Sequence, residues 1–302
     1  MISQHYELSM FKGIRITYSN KKFLNRFYKM VYPGVLDGIP IRMVKGDAEP
    51  ILNSRELDEI EQLINLVEEA RKDLLIMYQY DKHIHLESSL TSLEILATIH
   101  LFKKSSENLV DRDWLILSKG HAAPALYAIL AELGVIPKSE LININSINSI
   151  LQNHPEISIP GVDVSTGSLA QGLSIGVGIA TWIKSVGGCG RVFVVMGDGE
   201  NDEGQVWESI THAAMLNLNN LIVVVDWNGH QHDGSVRKVK PKDYLPLVWR
   251  AIGWRVLWAN GHDIVSLMIA IESALKSDRP TVIFAQTDKN RRVAVDVDLY
   301  AE

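Results

Sequence analysis

Two runs are apolar at every position, Val192–Met196 and Leu221–Val225, and each breaks at once into a polar turn, Gly197-Asp198-Gly199 and Asp226-Trp227-Asn228-Gly229. Continuous runs of this kind predict parallel strands covered on both faces. Between them, Val206, Ile210, Ala213 and Ala214 keep helical spacing over Glu203 to Leu216, so the unit is strand, tight turn, helix. The same plan occurs earlier, where the short run Asp113–Ser118 meets Lys119-Gly120-His121 and a helical stretch from Ala122 to Leu133.

The remaining pattern fills in an alternating chain. Helices are expected from Asn53 to about Leu75, from about Ser92 to Lys103, after Gly172 to about Lys184, over Tyr244–Ala251 and over Asp263–Leu275. Strands are expected at Trp254–Trp258 and Pro280–Thr287. Residues 81–89 read as a break and Pro137 to Val164 as a looser region. Gly187-Gly188-Cys189-Gly190 precedes a strand, so it is a connecting turn and not a dinucleotide fingerprint, whose glycines follow one. Alternation of this sort gives an α/β fold with a largely parallel sheet and helices on both faces.

Residues 1–52 differ, with many aromatics and breaks at Pro33-Gly34, Pro40 and Pro50. They are read as an appended arm, and residues 53–302 as the main domain. At 302 residues and 46% hydrophobic, the chain can bury a large core, as one α/β domain or two smaller ones. The net charge of −6 argues against nucleic acid as a bulk electrostatic partner. Arg237, Lys238, Lys240 and Lys242 form a basic run beside Pro241, read as a solvated loop. One cysteine, Cys189, allows no internal disulfide, the N-terminus lacks a signal pattern, and no apolar run is long enough to span a bilayer. A reducing cytoplasm is the expected location, with no membrane partner.

Chemistry enters at the two turns. In open α/β sheets ligands lie beyond the carboxyl ends of strands, beside helix N-termini that favour anions. A carboxylate such as Asp198 suits that place when a divalent cation lies between it and an anionic ligand. Gly-Asp-Gly alone is a common turn. Its pairing with Asn228, a hard oxygen ligand at the end of a second strand, together with a turn carbonyl, is what an octahedral magnesium site requires.

These residues resemble the thiamine diphosphate binding half of the transketolases. The likeness rests on Leu117-Ser-Lys-Gly-His-Ala122, His154-Pro-Glu156, Pro160 to Gly172, Gly197-Asp-Gly to Glu208, Asp226-Trp-Asn-Gly229 and Gly261-His-Asp263, all in family order over roughly residues 53 to 287. It implies a thiamine diphosphate enzyme that moves a two-carbon ketol unit from a ketose donor. Because the chain ends soon after the last expected strand, it resembles the N-terminal subunit of a split enzyme. A partner would then carry the pyrimidine-binding domain and the activating glutamate, in an α2β2 heterotetramer.

The resemblance also implies roles. Asp198, Asn228 and the backbone carbonyl of His230 would hold Mg2+ or Ca2+. Gly199, the backbone of Gly167 and Leu169, and His121 would hold the diphosphate. His85 and His154 would face the substrate, where an imidazole serves as general acid or base, and Glu203 would link cofactor sites across the subunit interface. Three features depart from the family pattern: Ile84, Glu87 and Ser88 around His85; Ala170 in place of a glycine, read as a mild change; and Thr287 to Arg292, where a diphosphate-binding His is missing. Either Arg291 or Arg292 replaces its charge, or the tail is disordered or meets the partner. The altered loops also raise a carrier-bound acceptor in a specialised pathway as an alternative. A non-catalytic scaffold is the competing class, against which the intact Asp198, Asn228, Glu203 and His121 speak.

Overall fold

A computed structural model describes residues 54–231 and 233–289. The arm expected at residues 1–52, and Arg291 and Arg292, lie outside the described residues. The chain divides into two compact units, Met1–Ile64 and Asn65–Glu302. Residues 54–64 begin the helix Ser54–Tyr80; all that follows concerns the second unit.

Its centre is a five-stranded, all-parallel sheet of β1 (Trp114–Leu117), β2 (Val192–Gly197), β3 (Leu221–Trp227), β6 (Arg255–Asn260) and β7 (Thr281–Gln286), in the order β1-β2-β3-β7-β6. Successive side chains of a strand point to opposite faces. On one face Val192, Val194 and Met196, with Leu221, Val223 and Val225, pack beneath the helices Gln171–Ser185, Gly204–Met215 and Leu245–Ile252. The alternate residues Phe193, Val195, Ile222 and Val224 are just as buried. That face is closed by Leu93–Phe102, Ala123–Glu132 and Ile264–Leu275. Both faces are therefore covered, as the continuous apolar runs require.

The expected helices and strands are present, their ends shifted by a few residues. Several features were not expected; among them, Arg237 and Lys238, read as part of a loop, lie in a short helix, Val236–Val239. Leu86–Leu90 is a short helix inside the stretch read as a break. A two-residue hairpin, β4 (His230–Gln231) with β5 (Gly234–Ser235), follows β3. Lys242 is not in a solvated loop: its side chain is fully buried, because Asp202 and Gln231 supply acceptors for its ammonium at 2.6 and 3.0 Å. Composition alone cannot distinguish such a lysine from its exposed neighbours Lys238 and Lys240.

The turn at Gly187–Gly190 connects as expected, and two of its glycines are sterically required. A Cβ on Gly190 would lie 2.2 Å from the Arg112 carbonyl oxygen, and one on Gly188 2.5 Å from that of Val110. Asp163 pins the same edge of the sheet, accepting from Lys103 Nζ at 2.6 Å and from the Leu115 N–H at 2.8 Å. Among the described residues no helix is long and apolar enough to cross a membrane.

Candidate functional site

The carboxyl ends of β1, β2, β3 and β7 lie side by side and deliver Ser118-Lys119, Asp198, Asn228 and Thr287 to one edge. Register fixes the pair that matters most. β2 and β3 remain paired to Gly197↔Asp226, so the turns beyond them start level. Asp198, 1% exposed, accepts from the Gly199 N–H at 2.7 Å through Oδ1 and from the Gly229 N–H at 2.7 Å through Oδ2. Asn228 Oδ1 accepts from the His230 N–H at 2.9 Å, which curls the chain into β4.

Burial pushes Asp198 up to about 6; the Gly229 N–H pulls it back, and the Asp226 charge adds to the rise. A cation against the carboxylate would offset that cost. The available donors, a carboxylate, an amide oxygen and turn carbonyls, are all hard oxygens and suit Mg2+ or Ca2+ rather than a softer metal.

A second segment lies across the end of β1. Thr166 Oγ1 donates to the Leu117 carbonyl at 2.6 Å, and the Thr166 N–H to the Pro155 carbonyl at 3.1 Å. These bonds bring 165–169 onto 118–121 and 154–155. A Cβ on Gly120 would sit 3.0–3.2 Å from Thr166 Oγ1 and the Gly167 backbone, and one on Gly167 would meet the His154 ring at 3.5 Å. The N–H groups of Gly167 and Leu169 find no acceptor among the described residues. Free backbone donors beside a glycine make a cradle for phosphate oxygens.

The three expected histidines come from separate connections and meet here. The His85 and His121 rings lie 5.2 Å apart, edge to face, and His154 stands against Gly167. Burial pushes His121 down to about 3, with the Lys119 charge and the neighbouring His85 and His154 adding to the effect. Without a bound anion beside it, this imidazole resists taking up a proton. Glu203 stands apart, exposed at the N-cap of Gly204–Met215, where its side chain makes no capping bond.

Two residues without an expected role organise this edge. Asp226, fully buried at the end of β3, takes an ion pair from the buried Lys119 and hydrogen bonds from Thr91 Oγ1 at 2.6 Å, Asn228 Nδ2 at 3.2 Å and Thr287 Oγ1. One carboxylate thus ties together β1, β3, β7 and the turn after Leu86–Leu90. Glu200, also buried, accepts from Ser118 Oγ, from the Ala170 N–H at 2.7 Å and from the Gly197 N–H at 3.0 Å. In the sequence Glu200 is one of four acids in a polar turn, and nothing in the spacing marks it as internal.

The departures have structural counterparts. Ile84 enters the core at 4% exposure, and the Ser88 carbonyl accepts from Lys119 Nζ at 3.2 Å. Glu87 pairs with Lys289 at 2.6 Å, so two of the unusual segments touch. Ala170 has φ 72°, ψ −19°. The change there is not mild: a left-handed conformation costs an L-residue roughly 1–2 kcal/mol that glycine is spared.

Comparison with known proteins gives the family. Residues 92–289 match the family described as transketolase, thiamine diphosphate binding domain. A 6-deoxy-6-sulfo-D-fructose transketolase subunit of Clostridium sp. (strain MSTE9) is 37% identical over 213 residues, 68% of this chain and 78% of that protein. An apulose-4-phosphate transketolase subunit of Actinobacillus succinogenes is 33% identical over 242 residues, 78% of this chain and 87% of its own. The crystal structure of transketolase from Campylobacter jejuni superposes with a TM-score of 0.68 at 29% identity, over 74% of this chain and 38% of that one. Against human transketolase-like protein 2, 40% identical, the matched segment spans 31% of the relative's length. The chain belongs to the transketolase family and carries its thiamine diphosphate binding domain.

Proposed function

We propose that this chain is the N-terminal subunit of a two-component transketolase-like transferase, which moves a two-carbon ketol unit from a ketose phosphate, or a similarly anionic ketose, to an acceptor. The observation that carries this reading is the convergence of a hard-oxygen site, a free-amide cradle and three histidines on one sheet edge. The relatives named as subunits support the division of labour, since the matched segments span most of their length. The remaining machinery, including the pyrimidine-binding domain and its glutamate, belongs to a partner subunit, and the assembly is an α2β2 heterotetramer.

Thiamine diphosphate, when bound, supplies the carbon nucleophile and electron sink that cleavage of a ketose needs. This chain's residues bind and orient. Asp198 and Asn228, with the His230 carbonyl, hold Mg2+ or Ca2+. Gly199 leaves room for the diphosphate, the N–H groups of Gly167 and Leu169 meet its oxygens, and His121 donates to it. His85 and His154 flank the cradle and handle protons of the substrate hydroxyls. Glu203, exposed at its helix start, meets the neighbouring subunit.

Isothermal titration of thiamine diphosphate with Mg2+ into the chain purified with its partner subunit tests the reading. Saturable, Mg2+-dependent binding is expected, followed by ketol transfer from a panel that includes ordinary ketose phosphates, apulose 4-phosphate and 6-deoxy-6-sulfofructose. Absence of cofactor binding in that complex would overturn it.

A further inference from the structure

Lys242 lies well outside every segment given a role above, yet it is one of the largest fully buried side chains. A buried ammonium is costly unless its three N–H donors are all satisfied. Here they are: Nζ donates to Asp202 Oδ2 at 2.6 Å, Gln231 Oε1 at 3.0 Å and the Lys240 carbonyl at 3.4 Å. The two side-chain acceptors belong to different halves of the cation site. Asp202 closes the turn Gly199–Asp202 that follows Asp198. Gln231 follows His230 in β4, and its Cβ stands 2.9 Å from where a Cβ on Gly199 would lie. The β2–β3 ladder ends at Gly197↔Asp226, so beyond it the two turns are no longer held by strand pairing.

We propose that Lys242 is a positioning residue for the divalent cation: its buried ammonium clamps the Gly199–Asp202 turn to the β4–β5 hairpin and so sets the spacing between Asp198 and the His230 backbone. This rests on the cation site proposed above. Lys242 touches neither the cation nor the cofactor. Its effect is on geometry, and geometry is what separates the two cations. Mg2+ demands a near-ideal octahedron at short distances, whereas Ca2+ accepts longer and irregular ones. A slackened clamp therefore penalises Mg2+ more than Ca2+.

Lys242→Met keeps the length and apolar stem, and Asp202 retains Lys240 at 3.0 Å as a second partner. Full-length chain in complex with its partner subunit is titrated with Mg2+ and separately with Ca2+ at saturating thiamine diphosphate. The variant is expected to lose about tenfold in Mg2+ affinity, the scale of residues that orient metal ligands, and clearly less in Ca2+ affinity. Gln231→Leu, which removes one acceptor and leaves no charge unpaired, should shift the Mg2+/Ca2+ ratio the same way. It decides the matter if the lysine variant does not fold. Lys240→Met, which removes only an exposed partner of Asp202, should leave the ratio unchanged.

A folded Lys242→Met or Gln231→Leu protein with the wild-type ratio overturns the proposal while the cation site stands. If wild type itself shows no cation-dependent cofactor binding, the functional reading fails first, and the positioning role falls with it.

Discussion

The Asp198 carboxylate accepts from the Gly229 N–H at 2.7 Å, so the turn after β2 is tied directly to the turn after β3. Asp198→Asn keeps an oxygen for that bond but removes the charge on which the proposed cation site depends. The variant should fold with a melting temperature close to wild type, because relief of a buried carboxylate held up at about 6 offsets the acceptor that the Gly199 N–H loses to the amide NH2. Mg2+-dependent binding of thiamine diphosphate should fall by at least a hundredfold. Calorimetry and a thermal melt on the same sample check both halves. Chelation of wild type should release the cofactor in the same way.

The Lys119–Asp226 pair carries a different cost. Replacing Lys119 by Met leaves a carboxylate at 0% exposure with only neutral donors, from Thr91, Thr287 and Asn228. Loss of one partner of a buried pair costs about 3–5 kcal/mol, and the three remaining hydrogen bonds put this case at the lower end. The double variant Lys119→Met with Asp226→Asn should recover most of the loss. A double-mutant cycle by urea denaturation measures it, and purely additive losses would contradict the pairing.

What could be read from the sequence follows from how each feature is encoded. The strands were legible because Val192–Met196 and Leu221–Val225 are apolar without a break, and only a position between two covered faces permits that. That Asp198 and Asn228 leave neighbouring strand ends was legible because adjacent parallel strands bring their ends level. The hairpin at His230–Ser235 was not, since two-residue strands have no periodicity. Lys242, Glu200 and Asp226 were not, because burial of a charged residue is decided by partners far along the chain. The meeting of His85, His121 and His154 was available only through the family resemblance; their spacing carries no sign of it.

Acid should destabilise the fold through His100. Its Nδ1 donates to the Leu96 carbonyl at 2.9 Å, and burial pushes it from 6.5 down to about 4, with the Lys103 charge adding to the fall. The folded form therefore resists a proton that the unfolded chain takes up. Stability is intact above about pH 6.5 and is lost as pH falls toward 4. Discounted for partial contact with solvent, the loss is roughly 1–2 kcal/mol at pH 5. Denaturation of wild type and His100→Gln at pH 7 and pH 5 isolates the contribution. The difference between the two proteins should change by that amount, in favour of the glutamine variant at the lower pH.

Two glycines of the same helix, Gln171–Ser185, should respond in opposite directions. Gly178 is exposed, and a Cβ there would meet nothing within 4 Å. Alanine at an open, interior helix position removes unfolded-state freedom and should stabilise by about 0.5–1 kcal/mol. A Cβ on Gly172 would lie 2.6 Å from Ser118 Oγ and 2.7 Å from Ser118 Cα. The helix must then retreat from the end of β1, at a cost of about 1–3 kcal/mol for overpacking. The retreat would also pull Ser118 and the Ala170 N–H away from the Glu200 carboxylate that joins them. Urea midpoints should thus rise for Gly178→Ala and fall for Gly172→Ala, and only the second should weaken cofactor binding, since only it disturbs the segment that carries Gly167 and Leu169.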